Sequence, residues 1–137
     1  MPDWPHMGFH PVNLTFRFLL EIIGLVGIFR LGLEVGTDLW RWVLAVGFTI
    51  AAMALWASFR VPGDRSASGE APFPVSGPAR LLIELAVFGA GAVGWFVAGP
   101  GWMAWSYVGA LIFHHVISYD RIAWLLRGGP TPDPDPK

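Results

Sequence analysis

Four apolar stretches, each about as long as a bilayer is thick, constrain this chain more than any other feature. Crossing about 30 Å of hydrocarbon takes about 20 helical residues. From Leu14 to about Val35 the chain is apolar except for Arg17, Glu21, Arg30 and Glu34. Further stretches run from Leu39 to about Arg60, from about Pro78 to Ala98, and from Trp102 to about Leu126. Inside lipid every backbone N–H and C=O needs an internal partner, so such runs are helical. The expected fold class is an all-α membrane protein, a four-transmembrane-helix bundle. Composition agrees: the 137 residues are 54% hydrophobic and 14% charged, against roughly a quarter charged in soluble domains.

The segments between and around these runs have loop chemistry. Residues 1–13 hold Pro2, Pro5 and Pro11, which lack the amide hydrogen a helix interior needs; they read as a Pro-rich leader. No Lys or Arg precedes the first run, and that run exceeds the apolar core of a signal peptide, so the first span is expected to remain uncleaved. Gly36-Thr37-Asp38 makes a tight connection, with Asp38 placed to cap the next helix. Residues 61–77 are rich in Pro, Gly, Ser and charge, and Gly99-Pro100-Gly101 turns the chain again. The tail, residues 128–137, alternates Pro with Asp and is expected to be disordered. Residues 14–127 then form one four-span membrane domain.

Orientation follows from the arginines and lysine. Arg17, Arg60, Arg65, Arg80, Arg121, Arg127 and Lys137 fall at or near one side, Arg30 and Arg41 at the other. Both termini are expected in the cytoplasm, with the chain multi-pass in the inner membrane. Trp40, Trp42, Trp95, Trp102, Trp105 and Tyr107 fall at the far ends, and Trp56 and Trp124 near the cytoplasmic ends, as interfacial aromatics do. The bilayer is the first expected partner. A net charge of −1, with nine Lys and Arg scattered singly, excludes nucleic acid, which needs a concentrated basic face. Without Cys there is no disulfide framework, thiolate metal site or catalytic thiol.

A shift of about 63 residues, the interval from Arg17 to Arg80, aligns the two halves without a gap. Pro11-Val12-Asn13 meets Pro74-Val75-Ser76; Arg17 and Glu21 meet Arg80 and Glu84; Gly36 meets Gly99, Trp42 meets Trp105, and Trp56 meets Tyr119. Repeat one covers about 11–60 and repeat two about 74–123. Two spans per copy keep the copies in the same orientation, so the bundle is expected to consist of two parallel helical-hairpin repeats related by an axis along the membrane normal.

Three motifs stand out: Asn-Leu-x-x-Arg-Phe-Leu-Leu-Glu at Asn13 to Glu21, Trp-x-x-Phe-x-x-Pro at Trp56, Phe59 and Pro62, and Arg-Leu-Leu-Ile-Glu-Leu-Ala-Val-Phe-Gly from Arg80 to Gly89. In this combination the chain resembles the YrdB-like family of small bacterial membrane proteins, over about residues 13–127. The resemblance implies a four-span inner-membrane protein. It implies no activity, because that family is a domain of unknown function.

Chemistry concentrates in two places. Arg17 with Glu21, and Arg80 with Glu84, lie one helical turn apart, so each pair shares a face. At about 1.5 Å per residue both carboxylates sit about 10 Å inside the cytoplasmic boundary. Bare charges in hydrocarbon are costly, so these side chains are expected to face the interior and pair within a helix or crosswise between the copies. The fourth span is the unshared one. Where the second span has Ala51, Ala52, Trp56, Ala57 and Ser58, it has His114, His115, Tyr119, Asp120 and Arg121. His114, Ser118 and Arg121 share one stripe, His115 and Tyr119 the next. Arg17, Glu21, Arg80, Glu84, His114, His115, Tyr119, Asp120 and Arg121 thus form the candidate cluster.

Several roles suit it. His and Glu at staggered depths can relay protons or couple transport. A single His can ligate haem iron or another metal-bearing cofactor, although adjacent histidines point about 100° apart and cannot both ligate one metal. Arg17, Arg80 and Arg121 can bind an anion or headgroup. The bland alternatives are an electrostatic clamp and histidines bonded to a neighbouring helix. Small residues, Ala86, Ala90, Gly94 and Ala98 on the third span and Gly24, Gly27, Gly47, Ala51 and Gly109 elsewhere, predict close packing, with the third span central or forming an oligomer face. Such packing leaves little room for a pore, so transport would need a homodimer or a very small substrate. The preferred function is binding of a small polar or ionic solute at the cluster, with translocation as its extension; the alternative is a non-enzymatic accessory or packing subunit of a larger membrane complex. With no Ser/His/Asp order, metal spacing or phosphate loop, no catalytic residue or metal site is designated, and the reading leans away from an enzyme.

Overall fold

A computed structural model describes residues 10–61 and 72–127. Most of the leader, the middle of the 61–77 loop and the whole 128–137 tail lie outside the described residues. Among the described residues the chain is helical apart from one two-residue strand pairing. The helices are α1 (Pro11–Val35), α2 (Trp40–Ser58), α3 (Gly77–Ala98), α4 (Gly101–Ile117) and α5 (Tyr119–Leu126). Beyond α2, β1 (Phe59–Arg60) pairs in parallel with β2 (Phe73–Pro74), setting Phe59 against Phe73.

Local chemistry explains most boundaries. Pro11 opens α1 three residues before the expected Leu14, because a first-turn proline gives up an amide that would be unpaired anyway. The His10 side chain accepts from the Val12 amide at 3.2 Å as the cap. Ser76 caps α3 in the same way, accepting from the Ala79 amide at 3.3 Å, with Pro78 in the first turn. Asp38 does not cap α2: its backbone sits at φ 51°, and Leu39 precedes the helix without a side-chain cap. The expected fourth span is two helices. The break falls at Ser118 (φ −97°, ψ 20°), where the hydroxyl accepts from Asn13 Nδ2 at 2.7 Å.

α1 and α3 form the centre. The buried positions of α1 are Asn13, Arg17, Leu20, Gly24, Gly27, Ile28 and Gly32, a stripe at the three-and-four spacing that keeps one helix face toward a neighbour. Gly24 and Gly27 lie directly against Gly91 and Gly94 of α3, so that a Cβ at Gly94 would fall on the Gly27 carbonyl. Only residues without side chains allow backbones to approach this closely. Trp95 Nε1 donates to the Ile23 carbonyl at 2.9 Å, and the Tyr107 hydroxyl donates to the Leu20 carbonyl at 3.2 Å. Trp95 and Tyr107, expected at the membrane surface, are therefore core residues, whereas Trp40, Trp42, Trp102 and Trp105 are exposed. At the same end Arg30 Nη2 donates to the Ala98 and Gly99 carbonyls, both at 3.0 Å, and its guanidinium lies 5.3 Å from the Trp95 ring.

Beside a hydrophobic core of Leu20, Phe88, Trp95, Ala104 and Tyr107, the interior holds several charges, and much of the surface is apolar. Arg17, Arg80, Glu84, His114 and Arg121 are buried, while Phe18, Leu19, Trp40, Ile50, Leu82, Val97, Phe113 and Val116 are exposed. Two helices among the described residues, Trp40–Ser58 and Gly77–Ala98, are long and apolar enough to cross a membrane. α1 is longer, at 25 residues, but carries four charges; α4 ends after 17 residues at the Ser118 break.

Candidate functional site

Three guanidinium groups converge on one carboxylate. Glu84 Oε1 accepts from Arg80 Nε at 3.0 Å, one turn earlier on α3. The same oxygen accepts from Arg17 Nη2 of α1 at 2.7 Å and from Arg121 Nη2 of α5 at 2.7 Å, while Oε2 accepts from Arg121 Nη1 at 2.9 Å. The two-bond contact from Arg121 is the fork geometry that makes arginine–carboxylate pairs strong. All four residues are buried, Glu84 at 1% exposure. One ion network therefore joins α1, α3 and α5.

Arg80 and Arg17 have further duties. Arg80 Nη1 donates to the Trp56 and Phe59 carbonyls, both at 2.6 Å, satisfying acceptors that α2 leaves open at its end. The guanidiniums of Arg17 and Arg80 lie 5.0 and 4.8 Å from the Trp56 ring, where the aromatic face attracts cations. Arg17 Nε also donates to Glu21 Oε1, at 3.3 Å. Glu21 is the less enclosed carboxylate, with 23% of its side chain exposed.

A second network adjoins the first. Asn13 Nδ2 donates to Ser118 Oγ, so the Asn13 oxygen accepts from His114 Nδ1 at 2.9 Å. His114 is buried and packs edge-on against Phe16 and His115. His115 points differently. Its Nδ1 donates to the Leu111 carbonyl at 2.7 Å, and the two imidazoles are 82° apart in plane, so they do not present nitrogens to a common centre. No group of three or more His, Asp or Glu suited to a metal ion occurs among the described residues.

The structure thus brings Arg17, Arg80, Glu84 and Arg121 together, sets His114 beside them through Asn13 and Ser118, and leaves Glu21 at the margin. His115 borders an apolar groove of about 540 Å³ between α3 and α4, with Leu81, Leu85 and Phe88. Tyr119 is exposed and Asp120 half-buried. Sequence reasoning passed over Asn13 and Trp56 as site members. Asn13 begins the α1 stripe that continues through Arg17 and Leu20, a usable signal; Trp56 has its rim position but no local sign that two arginines will cover it.

Three cavities bordered by described residues lie away from the Glu84 network. One of about 320 Å³ opens between α1, α2 and α3 and has Glu21 in its wall. Another, of about 230 Å³, is bordered by Ile28, Phe48, Ala51, Ala86 and Ala90. Neither these two nor the α3–α4 groove is lined by Glu84, His114 or Arg121.

Fold and site together define a class: an all-helical protein with two membrane-length apolar helices and a buried arginine–glutamate network. The chain belongs to the family described as "Protein of unknown function (DUF2568)", whose pattern matches residues 15–112. It is 33% identical over 115 residues to the uncharacterized protein YrdB of Bacillus subtilis (strain 168), an alignment covering 84% of this chain and 94% of that protein. The family match holds Arg17, Glu21, Arg80 and Glu84 and ends just short of His114. No solved structure matches the chain.

Proposed function

We propose that the protein is a four-span integral protein of the bacterial inner membrane with both termini cytoplasmic. We further propose that its Arg/Glu/His cluster is a structural clamp within a non-enzymatic accessory or packing subunit of a larger membrane complex. The observation that carries the clamp is the closure of Glu84: both oxygens accept from arginines of three helices at 1% exposure. A solute site needs a group with coordination to spare and a route to it, and Glu84 has neither among the three cavities described. A buried ion pair holds register well, because removing one partner strands the other in a medium that cannot solvate it.

The membrane assignment is supported by more than the two long apolar helices. Of the charges in the first half of α1, Arg17 is buried against Glu84 of α3 and Glu21 is partly buried beside it, while Phe18, Leu19, Ile22 and Val26 are exposed. At about 1.5 Å per residue α1 extends about 37 Å, enough to cross with some tilt. The parallel-repeat reading draws support from matching geometry in α1 and α3, where Arg17 Nε and Arg80 Nε each donate to the glutamate four residues on.

Topology is testable directly, because the chain lacks Cys. Thr37→Cys is expected to react with an impermeant maleimide from the periplasmic face, and Ser76→Cys only after permeabilisation; the reverse pattern refutes the orientation. For the clamp, Glu21→Gln with Glu84→Gln is expected to lower the melting temperature in detergent, with no ion flux in liposomes above that of empty vesicles for either protein. Wild-type flux abolished in a fully stable double variant would defeat the clamp. A stoichiometric partner in native-membrane purification is expected for the subunit role.

A further inference from the structure

Glu21 is a carboxylate with acceptor capacity to spare, and it stands in the wall of a cavity. The cavity of about 320 Å³ between α1, α2 and α3 is walled by Phe18, Ile22, Leu25, Met53, Val87 and Phe88, with Glu21 and Trp56 among the residues facing it. No arginine lines it. Its size is that of small-ligand pockets, and so is its make-up, an apolar chamber with one placed polar group. An ionised carboxylate offers about four acceptor positions. Glu84 receives four hydrogen bonds from three arginines, whereas Glu21 receives one, from Arg17 Nε at 3.3 Å. Arg17 in turn directs Nη2 to Glu84 and covers the Trp56 ring, so its charge is shared rather than given to Glu21.

We infer that this cavity binds a lipophilic amine as its ammonium ion, the apolar body lying among Phe18, Ile22, Leu25, Met53 and Phe88 and the N–H groups donating to Glu21. Complementarity to the carboxylate selects the occupant: an acyl tail gives Glu21 no donor beyond the single 3.3 Å bond from Arg17, and an anion brings a like charge to it, whereas an ammonium supplies donors to its open acceptor positions. Phe18 and Ile22 are also exposed on the outer face of α1, so the entrance is on the side that faces lipid in the span assignment proposed above, on which access from the bilayer rests.

The test uses the full chain in nanodiscs, with empty nanodiscs as blank, and equilibrium dialysis of 4-phenylbutylamine against its neutral counterpart 4-phenylbutanol. The amine is expected to bind at least about tenfold more tightly than the alcohol, the discrimination of a hydrogen bond to a charged group. Glu21→Gln is expected to remove that preference and leave the alcohol unaffected, with circular dichroism and melting showing the variant folded. Ala57→Leu, which fills the cavity from α2 without touching the carboxylate, is expected to weaken both probes. Equal binding of amine and alcohol by the wild type, as for a recess that merely takes acyl tails, overturns the inference. So does an unchanged amine preference in folded Glu21→Gln. If Glu21→Gln does not fold, Ala57→Leu decides, and undiminished amine binding there overturns the site. Alkaline carbonate extraction of the wild type reads the membrane assignment separately: release from the membrane defeats the spans whatever the amine does, and retention without amine preference defeats only this inference.

Discussion

Glu84 and Glu21 begin as equivalents: each follows an arginine by four residues on a long helix. They end differently. Glu84 is sealed by arginines from three helices, while Glu21 keeps a single longer bond and borders a cavity. The same local motif therefore serves as a lock in one place and leaves an unfilled acceptor in the other. The motif supplies one arginine. The other two reach Glu84 because α1 crosses α3 at its glycines and because the last long apolar stretch breaks at Ser118, after which α5 carries Arg121 inward.

The comparison is broken most severely at the lock. Glu84→Gln keeps shape but removes the one buried negative charge that three guanidiniums share, and is expected to cost about 3–5 kcal/mol in detergent unfolding, the range for removing one partner of a buried pair. A loss below about 1 kcal/mol would mean the network is not closed in the folded protein. Asn13→Leu comes next. It leaves Ser118 Oγ and His114 Nδ1 without the partner each has on Asn13, and buried unsatisfied groups cost about 1–3 kcal/mol; unfolding measurements on the variant and on Asn13→Asp check it. Gly94→Ala, which pushes a methyl into the Gly27 carbonyl, is expected to cost about 1–3 kcal/mol as overpacking does and to weaken the approach of Arg17 to Glu84. Glu21→Gln is the smallest effect, below about 1 kcal/mol, in keeping with a partly exposed ion pair. A Glu21→Gln loss equal to that of Glu84→Gln would erase the distinction between the two carboxylates.

Helix positions were largely legible in advance because they follow from local rules: apolar runs set extents and Gly36 and Gly99 mark ends, whereas Pro11 reads as leader although it opens α1, because a proline suits a first turn as well as a loop. The pairing of Arg17 with Glu21 and of Arg80 with Glu84 was legible too, since a separation of four places two side chains on one helix face. Asp38 misled because a turn residue can adopt a left-handed backbone as readily as it can cap. The break at Ser118 was invisible, since apolar periodicity runs through it and the hydroxyl's partner, Asn13, lies 105 residues away. Trp95 and Tyr107 read as membrane-rim residues because their ring chemistry suits an interface; only the neighbouring α1 carbonyls made them core.

By itself, then, the amino-acid order determined an all-helical chain with charges too deep in apolar stretches to be left alone, because helix geometry and the cost of burying charge act over a single turn. Tertiary structure alone decided which carboxylate became the lock and which was left at a cavity. That choice depends on how closely α1 and α3 approach through Gly24, Gly27, Gly91 and Gly94, and on an arginine delivered from α5. Both are distances across helices, which no spacing along the chain encodes.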